Sequence, residues 1–369
     1  MKVLIVGTGT IAKPLIQLCL DKKTELGIDE LIFNKHQALI EARGMLNDFH
    51  EMGASLAVYP EKINEFLNML APNAYGPKYV IQEAIRRADV VIDCTDKGIA
   101  RKLKETYYVK ENVGSRKLFI AQGSENGFGV PYAFDINDAV LKDNPRFLQV
   151  VSCNTHQVLC LLKTLAFDPD NTGDASLWIF KNLVKARLYL ARRASDISQG
   201  ESTIGAKVGQ PSHAIFGSHQ GLDAQNVIGT LTDDKFDIHT AADTFNNPFT
   251  HTVYFQITLQ EVVTRAEAER RFRKNPLTAV TYLVDNNRVF SEGRDRGFFG
   301  RILNQTVVCL PALEVISDGH EVIGRCFTPQ DGNPLLSSVA AMLWFQDRLN
   351  YKQKLKDIFF KRPFIFNEV

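Results

Sequence analysis

The sequence predicts two α/β architectures in succession. A doubly wound domain with a parallel sheet spans 1–152, an α+β domain with a mainly antiparallel sheet spans 153–332, and a C-terminal helix and tail occupy 333–369. Three observations carry this. Strand-like and helix-like segments alternate through residues 1–150, a glycine turn joins the first strand to the first helix, and after Leu148 the chain changes to longer strand-like runs separated by polar segments.

In order, "KVLIV" at 2–6 is a short aliphatic run that ends in glycine, and "TIAKPLIQLCLDK" follows with apolar residues at helical spacing. "ELIFN", ending at Asn34, is the next strand. "ADVVIDCT" at 88–95 is a third, backed by the helix-like "KGIARKLKETYYVK", and "KLFIAQG" is a fourth. Strands that alternate with helices pair in parallel. In the second half, "LWIFKNLVKARLYLARRA" is aliphatic and aromatic. The stretch 194–248 is dense in Gly, Ser, Asn and Asp and too long for an idle connection, so it is a candidate functional loop. "HTVYFQITLQEVV" alternates like a strand, "TRAEAERRFRKN" reads as a charged helix with a solvated face, and strand-like runs recur at 278–284, 305–310 and 321–328. "NPLLSSVAAMLWFQDRLNYKQKLK" reads as one amphipathic helix after Asn333 and Pro334.

Composition narrows the function. The 369 residues are 45% hydrophobic and 23% charged with a formal net charge of +1, so the electrostatic support for a nucleic-acid or membrane-surface partner is missing. "MKVLIVGTGT" lacks the apolar segment of a signal peptide, and no apolar run approaches the roughly 20 residues of a membrane span; a cytosolic location is expected. The six cysteines form no CxxC pair and no metal-ligand spacing, so reduced thiols and no metal are expected.

"VGTGTIAK" supplies Gly7 and Gly9, with Ala12 in the place of a third glycine. The first glycine permits a tight turn and the second lets backbone approach a pyrophosphate, which the following helix N-terminus favours. A dinucleotide is therefore expected. The second strand ends "FNKHQ", where Asn34 and Lys35 stand with no carboxylate before Glu41; this points to NADP, with NAD possible. Lys35 also reads as a solvated loop lysine.

"VVSCNTHQVLCLLKTL" at 150–165 places Cys153 where an apolar strand hands over to a helix. Ser152 and Asn154 are residues of helix starts, so Cys153 falls in the first turn, where the helix dipole lowers a thiol pKa. Cys160, two turns on among leucines, is the inert counterpart.

These islands, "GTGTIAK", "DCTDKGI", "AQGSE", "VVSCNT", "YLARRASD" and "THTVYFQITL", occur in an order that resembles glyceraldehyde-3-phosphate dehydrogenase of the archaeal type. The resemblance implies a Rossmann domain, a catalytic domain opening at the cysteine, a terminal helix returning to the first domain, and a homotetramer. It implies Cys153 as nucleophile and His251 as the catalytic histidine that removes the thiohemiacetal proton, although a lone histidine at a strand start usually has no such role. Ser152, Asn154, Thr155, Arg192, Arg193, His219 and Gln220 would bind the substrate phosphate and the attacking phosphate; Thr10, Ile11, Cys94, Thr95, Gly98, Gln122 and Gly123 would join the NADP or NAD site. The implied reaction converts a phosphorylated aldehyde and inorganic phosphate to an acyl phosphate, in glycolysis or gluconeogenesis. Gln220 departs from the family's usual histidine, as does Ala12 from its glycine, and the 200–250 region diverges. Aspartate-semialdehyde dehydrogenase and N-acetylglutamyl-phosphate reductase share the plan, and a non-catalytic NADP-binding scaffold would share the fold.

Overall fold

The computed structural model describes all residues except 72–74, 112–115, 195–205, 248 and 330. The chain divides into two compact units. The first comprises Met1–Val130, Asn144–Val150 and Ser338–Lys352, and the second Pro131–Asp143, Val151–Ser337 and Gln353–Val369.

The first sheet is built from β1 (Lys2–Val6), β2 (Glu30–Asn34), β3 (Ala54–Val58), β4 (Tyr79–Val80), β5 (Val90–Asp93), β6 (Leu118–Gln122), β7 (Val130–Tyr132) and β8 (Phe147–Val150), in the order β4-β3-β2-β1-β5-β6-β8-β7. From β4 to β8 every neighbouring pair is parallel. Val3, Leu4, Ile5 and Val6 are all buried, as expected of a parallel strand covered on both faces. The winding reverses between β1 and β5, and the crevice at that reversal is where doubly wound sheets bind ligands.

Gly7 turns the chain there. Its φ is +101°, its N–H donates to the Asn34 carbonyl at 3.1 Å, and a Cβ on it would meet the Cys94 carbonyl oxygen at 3.2 Å. Gly9 has open space where a Cβ would point. The helix Ala12–Asp21 follows, with no acidic residue in its first turn.

The second sheet contains β9 (Leu183–Arg193), β10 (Ile238–Phe245), β11 (His251–Leu259), β12 (Thr278–Thr281), β13 (Thr306–Ile316) and β14 (Glu321–Thr328), ordered β10-β9-β11-β14-β13-β12. Its three inner pairs are antiparallel and its two outer pairs parallel. Along β11 buried and half-buried residues alternate strictly, and Val253, Phe255 and Ile257 face the helices Cys153–Leu162 and His219–Ile228 within one core. The antiparallel register brings the end of β9, the start of β11 and the end of β14 to one edge.

Two expectations are corrected. The stretch 194–248 is not simply a loop, because it contains the helix His219–Ile228 and β10; its polar residues serve as the helix cap and a sheet-edge strand. Residues 195–205 and 248 of that stretch lie outside the described ones. The C-terminal segment is two helices, Leu335–Gln346 and Tyr351–Phe359, because the Asp347 carboxylate accepts from the backbone N–H groups of Leu349 and Asn350 and turns the chain. The first of these helices is buried on all sides from Leu335 to Trp344 rather than amphipathic.

Gly7→Ala should lose about 1–3 kcal/mol of stability, from positive φ and the contact with the Cys94 carbonyl. Gly9→Ala should stay within about 0.5 kcal/mol of wild type. Urea unfolding of both variants checks this, and equal losses would contradict it.

Candidate active site

The helix Cys153–Leu162 begins where β8 ends. Ser152 is its cap, with extended backbone and an Oγ that accepts from the Thr155 N–H at 3.4 Å. Cys153 is thus the first helical residue and is half-buried. Its carbonyl accepts from the Asn333 side-chain amide at 2.9 Å. The cap is supported from behind by His156, whose Nδ1 lies 3.0 Å from the Ser152 carbonyl and whose Nε2 lies 2.7 Å from Ser337 Oγ.

His251 opens β11 beside the end of β9, and its Nε2 stands 3.9 Å from Cys153 Sγ. On the other side of the ring, the backbone N–H of Arg193 donates to Nδ1 at 2.9 Å. A backbone N–H only donates, so Nδ1 is an acceptor and the neutral ring carries its proton on Nε2. That proton faces the sulfur. In this tautomer Nε2 carries the proton and can donate toward the sulfur side.

The electrostatics agree. Burial, with the Arg193 and Arg192 charges, pushes the His251 imidazole down to about 3. Burial pushes the Cys153 thiol up to about 11, opposed by the Arg193 charge and the Asn154 N–H and reinforced by Asp331. The helix start therefore does not outweigh desolvation, and the expectation of a lowered thiol pKa is reversed. Cys160, fully enclosed, is also pushed up to about 11.

The arginine pair divides. Arg193 is buried, with NH2 on Asp331 at 2.8 Å and NH1 on the Phe249 carbonyl at 2.9 Å. Arg192 is half-buried, makes no ion pair among the described residues, and reaches Thr244 Oγ1 at 3.4 Å. Its Nε is buried without a partner there. Thr155 and Asn154 are buried, Thr155 bonded to Ser152 and Asn154 to Thr328. His219 is the first residue of its helix, and Gln220 is turned inward to accept from Ser218 Oγ at 2.6 Å.

In the first unit the cofactor candidates line one edge of the sheet. Gly7, Gly9, Thr10 and Ile11 follow β1, Asn34 and Lys35 end β2, Cys94 and Thr95 follow β5, Gly98 precedes the helix Ile99–Leu103, and Gln122 and Gly123 end β6. Asn34 is committed inward, its amide donating to the Ala57 carbonyl at 3.0 Å. Lys35 is pushed below its ordinary range by burial and by the charge of Lys13. The Glu41 carboxylate acts in the opposite direction.

The sequence pattern assigns no site role to Asp331, Asn333, Lys13 or Asp93. Asp93 is buried, pushed up by burial against hydrogen bonds from Thr95 and Tyr108 Oη, the latter at 2.7 Å. Asn333 read only as the residue before a helix-starting proline. Nothing in the local pattern marks the other three.

Two buried neutral imidazoles should make the protein acid-sensitive. His156 is held at about 4 and His251 at about 3, against about 6.5 in an unfolded chain. As pH falls the unfolded chain takes up protons first, so this stabilisation is complete above about 6.5 and lost toward the folded values. Each group should lose on the order of 1–2 kcal/mol between about pH 7 and pH 5. Urea midpoints should fall over that range, and less steeply in His156→Gln; a constant midpoint would contradict burial in the neutral form.

No family model matches the chain. It is 28% identical over 276 residues to the glyceraldehyde-3-phosphate dehydrogenase of Metallosphaera sedula, which covers 72% of this chain and 69% of that protein. It is 24% identical over 329 residues to that of Pyrobaculum islandicum, covering 88% and 85%, and 33% identical over 154 residues to that of Methanobacterium bryantii, covering 40% and 39%. The chain is a distant relative of the archaeal-type glyceraldehyde-3-phosphate dehydrogenases.

Proposed function

We propose that the chain is a phosphorylating, nicotinamide-dependent aldehyde dehydrogenase acting on glyceraldehyde 3-phosphate. The observation that carries this is a half-buried cysteine at a capped helix start, 3.9 Å from a histidine nitrogen whose proton is fixed toward it. The names of the relatives supply the substrate. A homotetramer and a cytosolic location belong to the same reading.

The residues of the first unit fit a dinucleotide: Gly9 leaves open space beside a helix N-terminus free of acidic residues, and Lys13 lies near enough to Lys35 for their charges to oppose each other. Gly7, Gly9, Thr10 and Ile11 would hold the pyrophosphate, and Lys35 with Lys13 the 2′-phosphate of NADP. A bound nicotinamide supplies the acceptor for the hydride that leaves as an oxyanion on the substrate carbon collapses to a thioester.

The side chains of the second unit do the rest. Once its proton has left to solvent, Cys153 Sγ bonds the aldehyde carbon, and the carbonyl π pair moves to oxygen. His251 Nε2–H donates to that oxyanion and keeps its own proton throughout, the role of a preorganised neutral donor. Arg192, rather than the committed Arg193, offers the guanidinium for a phosphate. Inorganic phosphate then forms a C–O bond to the thioester carbon and returns the thiolate.

Assay of nicotinamide reduction with glyceraldehyde 3-phosphate, with and without phosphate, tests the function. Phosphate-dependent turnover is expected, whereas turnover of only aspartate semialdehyde or N-acetylglutamate semialdehyde would reassign the substrate. In the same assay His251→Ala should lose about 10²–10³ in kcat, and His251→Gln, which keeps an N–H donor, should retain about ten-fold more than His251→Ala. Equal losses would restore a proton-accepting role.

Lys35→Ala should weaken NADP by about 5- to 30-fold, less at high salt, and leave NAD within about two-fold. Fluorescence titration of both cofactors at one ionic strength measures this; equal losses would make Lys35 a loop support.

A further inference from the structure

A pocket lies within the second unit, and the function proposed above does not use it. Its walls are mainly apolar, with Phe249, Val289, Phe290, Ile302 and Phe327 around it. Two arginines break that surface, Arg193 and Arg301. Arg301 lines the pocket and is only partly exposed, and its Nε is buried without a hydrogen-bond partner among the described residues. Its NH1 is spent on the Phe299 carbonyl at 2.6 Å, and it makes no ion pair among the described residues. The carboxylate that shares the pocket, Asp331, is engaged by Arg193 at 2.8 Å. A guanidinium with a buried, unpartnered Nε beside apolar walls is complementary to an anion that carries an apolar body.

The pocket is also wired to His251. Arg193, whose backbone N–H holds Nδ1, lines it, as does Thr250, the residue before His251. The helix Asn286–Arg296 supplies Val289, Phe290 and Gly293 to the wall. Its first residue, Asn286, grips the Thr250 backbone on both sides: Oδ1 accepts from the Thr250 N–H at 3.0 Å and Nδ2 donates to the Thr250 carbonyl at 2.8 Å. A ligand that moves this helix moves the strand start that aims His251.

We propose that this pocket is a second ligand site, which takes a small organic carboxylate with a branched-aliphatic or aromatic body, its carboxylate on Arg301, and that its occupancy alters the reactivity of Cys153. Arg301, which would hold the carboxylate, is not among the residues assigned to aldehyde turnover, so binding here is tested separately from the proposed activity.

Calorimetric titration of the full chain with isovalerate, benzoate and 3-phenylpropionate tests it, with the neutral 3-phenylpropan-1-ol as the uncharged partner of the last. Saturable binding of at least one carboxylate is expected. Arg301→Gln should weaken that carboxylate by about ten-fold or more and leave the alcohol within about two-fold. Gly293→Leu should abolish binding of both, since a Cβ at Gly293 meets only Ile302 Cγ2 at 3.8 Å and the Gly300 carbonyl at 3.9 Å and the longer chain has only the pocket to enter. The saturating ligand should change the rate of Cys153 alkylation by iodoacetamide in wild type and not in Arg301→Gln. Absence of saturable binding by all three carboxylates, or binding unchanged by both substitutions, overturns the site; binding with an unchanged alkylation rate overturns its link to His251.

Discussion

The second unit is organised around one hydrogen bond, from the backbone N–H of Arg193 to Nδ1 of His251. It exists because β9 and β11 are antiparallel neighbours, so the last residue of one meets the first residue of the other. Backbone amides cannot switch between donating and accepting, and so this contact fixes the imidazole tautomer as firmly as the sheet fixes the strand. The Arg193 side chain secures the same peptide from its other end, through Asp331 and the Phe249 carbonyl. Main chain and side chain of one residue thus set both the orientation and the proton of the ring that faces Cys153.

The same arrangement explains why the Cys153 thiol and the His251 imidazole are both neutral in the free protein. Desolvation opposes charge on sulfur and imidazole alike, and Arg193, which favours a thiolate, repels an imidazolium together with Arg192. A cysteine–histidine ion pair is therefore disfavoured. An oxyanion formed next to Nε2–H gains a hydrogen bond without any reorganisation, which makes a neutral donor a consistent design for this site. The helix cap, Ser152, and the carbonyl clamp from Asn333 hold the sulfur's backbone still on the opposite side.

Much of this was legible in the sequence, for identifiable reasons. Aliphatic runs alternating with helical spacing specify a parallel sheet, and Gly7 and Gly9 mark its first turn because only glycine tolerates the φ at Gly7 and a side chain is absent where Gly9 faces open space. The polar residues flanking Cys153 correctly announce a helix start. What was not legible depends on tertiary neighbours. The sign of the thiol shift is set by how deeply the helix start is enclosed, the division of labour between Arg192 and Arg193 by a carboxylate far along the chain, and the tautomer of His251 by a strand partner. Polar composition misled at 194–248, where Ser218 and Thr240 serve a helix start and a strand rather than a loop. The terminal helix looked amphipathic because its charged continuation belongs to a second helix beyond Asp347.

The most direct test of this account is nitrogen NMR of the His251 ring in protein carrying ¹⁵N-labelled histidine, assigned by comparison with His251→Gln and followed between about pH 5 and pH 9. The account predicts a single neutral tautomer across that range, with a pyridine-type Nδ1 and a protonated, pyrrole-type Nε2. A ring protonated on Nδ1, or one that titrates to an imidazolium near pH 6 to 7, would contradict it.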